Sequence, residues 1–591
     1  MKISPISQAM HQETDPVLLA LTQNRLDHIS QQMGWVMVRT ARSPIFSQAH
    51  DFSCFIAGPD GEVVSQADGI PIHTGSGGFG VRAVLADFAD DINPGDVFLL
   101  NDPWAAGGNH LPDWVIVRPV FIDSGEQDNP SQLVGFTCNR AHQSDIGGGA
   151  AGTYNPTATE VYAEGVRLPV LKLIEAGKRR NDLFKLLMLN TRTPHLQEGD
   201  LGAMLGSTRI GAENVASLVN ELGVTQAMAC FSGILAHADR SVRAEVVRLP
   251  DGVYQAQDHS DNDCFEQVDV TVRVSLTIQE DQMTVDFTGS DPQIKGFKNS
   301  TYANTCSAVY TALASFFDPS LPHNEGAWRC VDIVAPEGTI VNAREGAATT
   351  MCTVFFAHEI IHAIWKALSQ ADPQRACAGW AKNVFGLSVG QEKDNKTYVY
   401  YHGAAAAGGG AVHGRDGFNQ IGHLCTLGGL TMPNVEVYEQ LYPIQFKQQE
   451  FRCDGGGAGQ WRGGTGCDYE VQIHTPATHS FRGEGLHYQT GYGVNGGMSG
   501  AAGDMHLVDD AMVSTAAPKF GLRQTGPVSF KTQSPGGGGY GEPTLRDPAL
   551  VIRDWRDGLI SAAAMRDVYR VVPSEDGQKA DDIATSKLRS S

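Results

Sequence analysis

The chain has 591 residues, enough for two or more domains, and 41% hydrophobic against 19% charged residues marks it as folded, not disordered. Its 66 acidic and 44 basic residues leave a formal charge of −22, which argues against non-specific nucleic-acid or anionic-membrane binding, since both need a cationic face. The eleven cysteines are odd in number, widely spaced and without a C-x-x-C pair, so they read as reduced thiols and not as a disulfide scaffold or zinc ribbon. The opening MKISPISQAMHQETD lacks the apolar core of a signal peptide, and no run approaches the ~18 consecutive apolar residues of a spanning helix. A soluble cytoplasmic protein is expected.

Asp15 and Pro16 form a helix-start signal, and Val17, Leu18, Leu21, Ile29, Met33 and Met37 then recur near helical spacing, predicting an amphipathic helix to about Arg42. Past Pro44 come short strand-like runs: DFSCFIA, GEVVSQ, DVFLLN, WVIVRPVFI and LVGFTCN, between residues 51 and 139. Residues 180–225 read as mostly helical. From about 250 a hairpin is predicted around Glu280 and Asp281, followed by helices over 300–317 and 353–371. After Pro433 strands return, separated by glycine clusters. A last helix runs from Ser561 to about Tyr569 and precedes a polar tail expected to fray. The pattern predicts an α+β fold, large and mixed in its layers, strand-rich with glycine-rich turns, without the βα alternation of a Rossmann domain. Two regions are expected, 1–245 and 246–591.

The strongest chemical signal lies in NDPWAAGGNHLPD and RAHQSDIGGG, which place His110, Asp113, His142 and Asp145 at strand ends flanked by glycines. Imidazole nitrogen and carboxylate oxygen on backbone free to bend suit a divalent cation. The bland alternative is a pair of polar surface loops. A literal H-E-x-x-H, His358-Glu359-Ile360-Ile361-His362, would suit a zinc protease, but no third-ligand extension follows, and a packed helix with polar histidines is the simpler reading. There is no P-loop. The run SPGGGGYG could cradle a phosphate through its amides, although a structural turn is favoured. Arg140, Arg167, Arg462 and Arg546 are candidate anion binders, each more readily explained by a structural ion pair.

Eight ordered segments resemble the hydantoinase B/oxoprolinase family: DPVLLALTQNRLDHISQQMG, DFSCFIAGPDGEVVSQADGIPIHTGS, GDVFLLNDPWAAGGNHLPD, RAHQSDIGG, EVYAEGVRLPVLKL, LPHNEGAWRCVDIVAPEGT, DGGGAGQWRGGTG and SPGGGGYGEPTLRDP. They span nearly the whole chain. The resemblance implies the metal-bearing B-type subunit of ATP-dependent enzymes that open hydantoins, 5-oxoproline and larger lactams, with acetone and acetophenone carboxylases as distant relatives. It carries the metal site onto Asp51, His110, Asp113 and His142, and so adds Asp51 to the residues read directly. In the family the second motif carries two adjacent histidines, whereas Gln143 follows His142 here, which leaves Asp145 open as the completing ligand.

What the resemblance implies about mechanism is a division of labour. An A-type partner subunit binds ATP and phosphorylates the substrate carbonyl, in a hetero-oligomer such as (αβ)2. The metal, zinc first and manganese or iron as alternatives, readies water, and Asp145 or Glu164 orients it or carries its proton. Two competing readings stand beside this one: a subunit of an ATP-dependent ketone carboxylase, and a non-catalytic assembly subunit whose metal is structural.

Overall fold

The computed structural model describes residues 15–67, 69–123, 131–392 and 394–590, so the signal-peptide reading of the opening run falls, but for Asp15, outside the described residues. The chain divides into two compact units. One comprises Met1–His259, Val270–Ile364 and Gly429–Thr431; the other comprises Ser260–Asp269, Trp365–Gly428 and Met432–Ser591.

At the centre of the first unit is a seven-stranded sheet of β1 (Phe52–Ala57), β2 (Val63–Gln66), β3 (Val97–Leu100), β4 (Asp113–Asp123), β5 (Ser131–His142), β6 (Leu171–Glu175) and β7 (Lys178–Arg179). Its order is β2-β1-β5-β4-β3-β6-β7 and every pairing is antiparallel. The inner strands are buried on both faces, because helices cover both. On one face Thr137 Oγ1 donates to the Thr208 carbonyl and Asn139 Nδ2 to that of Met204, so the helix Pro194–Leu222 lies across the strands. On the other, Val81 and Val84 of the helix Gly77–Phe88 pack with Phe55, Val115, Val117, Phe136 and Cys138.

The first helix runs Pro16–Thr40 with the Asp15 side chain accepting from the Val17 amide, close to its predicted bounds. Its buried stripe differs from the predicted one. Thr22, Leu26, Ile29, Met33 and Met37 are inside, whereas Val17 and Leu21 are 65% and 56% exposed, because at 100° per residue they point away from that stripe. The hairpin Val270–Gln279/Gln282–Asp286 forms as expected, with Glu280 in the left-handed region at φ 55°. Among the described residues no single helix is long and apolar enough to cross a membrane. Ten of the eleven cysteines are buried, and Cys453 is exposed.

The second unit packs two antiparallel sheets around Tyr400, Tyr469, Val471, Phe481 and Phe530. Beside them lies the destination of the glycine clusters. Residues 536–541 run straight through a bundle of other glycine-rich segments, and each amide donates to a different neighbour: Gly536 to the Ala501 carbonyl, Gly537 to Gly464, Gly538 to Gly379, Gly539 to Met498, Tyr540 to Trp461 and Gly541 to Val494. A Cβ on Gly536, Gly537 or Gly538 would lie 1.8, 2.0 or 1.8 Å from a neighbouring backbone oxygen, so only hydrogen fits between these chains. With every amide donating to protein, none is left for a phosphate, and the cradle reading of SPGGGGYG is set aside.

One expectation about the tail is corrected. Residues Asp582–Arg589 form a helix instead of fraying, capped by Asp581, with Arg589 Nη2 donating to the Arg546 carbonyl at 2.7 Å. The cap and the basic last turn, Lys587 and Arg589, supply the order that the polar composition concealed.

The second unit also carries a buried polar chain. His479 Nε2 meets Thr525 Oγ1 at 2.9 Å and its Nδ1 meets Ser388 Oγ at 2.9 Å; Ser388 meets His402 Nε2 at 2.8 Å; His402 Nδ1 meets Tyr469 Oη at 3.0 Å. Burial holds His402 well below the usual imidazole range and, with help from Arg523, lowers His479 to about 4. Both are therefore neutral when folded but free to protonate when unfolded, so stability is full above the unfolded value of ~6.5 and falls as pH drops toward the folded values. His479 alone is expected to lose roughly 2 kcal/mol of stability between pH 6.5 and 5. Urea denaturation at the two pH values checks this; a midpoint that stays put would show that these rings are not held neutral.

Candidate metal centre

One sheet face turns from apolar to polar along its length, and this change builds the site. Strand neighbours in register share a face, and alternate residues return to it. Cys138 opposes Phe55 and Val117; two residues on, Arg140 opposes Ser53 and Val115; two further, His142 opposes Asp113, while its amide donates to the Asp51 carbonyl at 3.1 Å. Antiparallel register thus brings Asp51, Asp113 and His142 to one strand end from three separate stretches. His50, at φ 58°, makes the turn that delivers Asp51 into β1. The fourth side chain, His110, arrives from the glycine loop before β4, where Asn101 Nδ2 anchors the Leu111 carbonyl at 2.8 Å.

His110, Asp113 and His142 are buried, and one ligand atom from each lies within 4.8 Å of the others. Asp113 Oδ1 is 2.8 Å from His110 Nε2 and 3.2 Å from His142 Nδ1. His110 Nδ1 donates to the Thr350 carbonyl at 2.5 Å, which fixes the tautomer and leaves Nε2 facing the cluster. Burial opposes ionisation throughout. It nevertheless loses to the partners at Asp113, held well below the usual carboxylate range by His110, His73 and His142, and at His110, raised chiefly by Asp113. The residues present fit a divalent cation: two imidazoles and a carboxylate converge, and Asp113 Oδ2 accepts no hydrogen bond.

Asp51, the candidate ligand added by resemblance, reaches this group through His73, whose Nε2 lies 3.7 Å from Asp51 Oδ1 and 3.3 Å from Asp113 Oδ2. Sequence reading missed His73. It is one histidine in PIHTGS, with no spaced partner to mark it. Burial lowers its pKa, against the pull of Asp113 and Asp51.

The two carboxylates expected to handle the proton lie one step back. Asp145 is buried, pairs with Arg192 Nη1 at 3.1 Å and accepts from the amides of Gly152 and Arg192 at 3.0 and 2.6 Å. It therefore ties down the glycine loop that follows His142. Glu164 accepts from the amides of Thr349 and Thr350 at 2.9 and 2.7 Å, and burial pushes its carboxyl up to about 7. Gly148 packs against its backbone: at φ 77°, a Cβ there would lie 2.8 Å from the Glu164 carbonyl oxygen.

Of the four arginines, Arg546 is bidentate to Asp416 and also meets Asp554, Arg462 meets Asp554 at 3.4 Å, and Arg167 pairs with Asp102 and Glu345. Arg140 differs: fully buried, it donates to the His73 carbonyl at 3.0 Å and to Ser76 Oγ at 2.5 Å. The H-E-x-x-H string lies on the helix Ala357–Ala371, with His358 Nε2 and His362 Nε2 3.1 Å apart, Asp258 on His362 Nδ1, and Glu359 accepting from the Phe356 amide. Among the described residues only the His110 group brings three metal-competent side chains together.

The fold and the centre define an α+β protein with a His-Asp-His cluster assembled at the end of a helix-covered antiparallel sheet. The chain belongs to the hydantoinase B/oxoprolinase family, whose model matches residues 15–543. It is 33% identical to the caprolactamase subunit beta of Pseudomonas jessenii, over 97% of this chain and 99% of that one. The crystal structure of the ATP-dependent caprolactamase from the same organism superposes with a TM-score of 0.88 over 98% of this chain. 5-Oxoprolinase 1 of Arabidopsis thaliana is 28% identical over 89% of this chain, which spans 42% of that longer protein. The nucleotide-free structure of acetone carboxylase, 20% identical with a TM-score of 0.85 over 98% of this chain and 82% of that one, shares the fold. The named relatives by sequence are enzymes that act on cyclic amides.

Proposed function

We propose that this chain is the metal-bearing B-type subunit of an ATP-dependent cyclic amide hydrolase. The observation that carries the reading is the buried convergence of His110, Asp113 and His142 in a chain whose relatives include a caprolactamase subunit. Those three residues and Asp51 would hold the cation, zinc by preference given the nitrogen-rich donor set, with manganese or iron as alternatives. When bound, it supplies Lewis acidity that makes water nucleophilic near neutral pH. Glu164, poised near 7 and adjoining His110 through Thr350, accepts the proton of the attacking water. Asp145 holds the loop that aims His142.

ATP falls to an A-type partner, a division supported by the lack of a P-loop in the sequence and by the subunit naming of the caprolactamase relative. The partner transfers the terminal phosphoryl group to the amide oxygen; water then adds to that carbon, the C–N bond breaks to free the amine and leave an acyl phosphate, and a second water hydrolyses the acyl phosphate to carboxylate and phosphate. The assembly proposed is a hetero-oligomer such as (αβ)2 in the cytoplasm, a reading supported by the odd number and wide spacing of the eleven cysteines.

The test is co-expression with an A-type subunit and a screen of caprolactam, hydantoin and 5-oxoproline for substrate-dependent ATP hydrolysis and ring-opened product. Formation of a labelled β-keto acid from a ketone and labelled bicarbonate, with no cyclic amide turned over, would replace this reading with the carboxylase one.

A further inference from the structure

Asp113 presents its two oxygens to different neighbours. Oδ1 faces His110 and His142, whereas Oδ2 faces His73, whose Nε2 is 3.3 Å away and 3.7 Å from Asp51 Oδ1. His73 thus stands between the two carboxylates of the centre, each from a different strand entrance. Its own placement is fixed on every side. Pro71 starts the short helical turn Pro71–Thr74 that carries it, Ser53 Oγ lies 3.4 Å from its Nδ1, and Arg140 Nη1 donates to its carbonyl at 3.0 Å. Ser53 Oγ is itself held by the Ile70 amide at 2.9 Å, so the Nδ1 side of the ring is tied to the first strand and Nε2 faces the acids. Arg140 is itself buried and packed under the same strand ends, so the support for His73 is rigid.

We infer that His73 is a positioning residue of this centre, whose Nε2 stands at ion-pair distance from both Asp113 Oδ2 and Asp51 Oδ1 and keeps both carboxylates turned toward His110 and His142. The inference rests on the metal reading of the site. It adds that Asp51 and Asp113 are aligned before any cation arrives, and that the alignment comes from an imidazole outside the ligand set. A carboxylate free to rotate would have to be ordered at the moment of binding, and that lost freedom appears as weaker affinity.

The experiment uses the full chain as wild type, His73→Ala and His73→Gln, with zinc affinity measured against a chromophoric chelator and cobalt(II) absorption as the report on ligand number. Glutamine can place an amide N–H where Nε2 stood. The expected result is zinc binding about 10–100-fold weaker in His73→Ala, recovery to within a few-fold in His73→Gln, and cobalt band intensity unchanged in both. Unaltered affinity in His73→Ala, in a wild type that does bind, overturns the role of His73 and leaves the centre standing. Changed cobalt band intensity in both variants makes His73 a ligand and overturns the positioning role. A wild-type chain that takes up neither metal fails the centre itself. Thermal melting of the metal-free proteins separates a folding defect from a binding one: affinity lost together with a collapsed melting transition counts as structural and overturns the assignment.

Discussion

Replacing His110 by alanine is expected to empty the metal centre and abolish ATP-driven ring opening in the reconstituted enzyme. His110 contributes at two levels: Nε2 faces Asp113 Oδ1 at 2.8 Å, and Nδ1 satisfies the Thr350 carbonyl. Alanine therefore removes a candidate ligand and also leaves a buried carbonyl without its donor, a penalty of about 1–3 kcal/mol. The loss in metal affinity should exceed the roughly 10–100-fold typical of changes behind the ligands. Metal content by elemental analysis and single-turnover ring opening check it together. A variant that kept full activity with no bound metal would refute the catalytic role of the whole cluster.

The second large effect is expected in the second unit, at a residue with no part in the proposed chemistry. Gly537→Ala places a Cβ 2.0 Å from the Gly409 oxygen and 2.2 Å from its carbonyl carbon. Both are backbone atoms, so no rotamer change relieves the overlap, and the chains must part, breaking the hydrogen bonds that Gly537 makes to Gly464 and receives from Gly457. Destabilisation should exceed the ~4–5 kcal/mol that marks an exceptional substitution, against a total stability of about 5–15 kcal/mol for a typical domain. The expected readout is loss of soluble protein or of the cooperative melting transition. Gly526→Ala is the control, since a Cβ there meets nothing within 4 Å. Equal behaviour of the two variants would show that the close packing of the glycine segments contributes little.

These two sites differ in how far the sequence disclosed them. The strands that carry Asp113 and His142 were legible because strands buried on both faces write near-continuous apolar, β-branched runs into the chain, and the observed β1, β3, β4 and β5 fall within a few residues of the predicted runs. All four metal-competent positions in the glycine-flanked motifs were marked by spacing and composition; His110 and Asp113 stay together, whereas His142 and Asp145 divide in the fold: His142 joins the group, while Asp145 pairs with Arg192. His-x-x-Asp spacing is the same in both motifs, but Asp113 begins a strand opposite His142, and Asp145 lies beyond a strand end in a loop. Spacing alone does not contain that difference.

The first helix teaches the same lesson in apolar residues. Val17 and Leu21 are apolar but lie off the stripe of Thr22, Leu26, Ile29, Met33 and Met37, and stay exposed while the polar Thr22 is buried. The angle around the helix, and not apolar character alone, decides which residues go inside.

By itself, then, the order of residues determined the class of secondary structure, the lack of a nucleotide loop, the acidic character and the family pattern, because each of these is a local or compositional property. Tertiary structure decided the rest: that three strand ends meet, that His73 stands between two acids, and that six successive amides of residues 536–541 bond to six different residues in three separate stretches. The physical reason is that register and close backbone approach depend on pairs of residues tens or hundreds of positions apart, and no short stretch of chain encodes its distant partner.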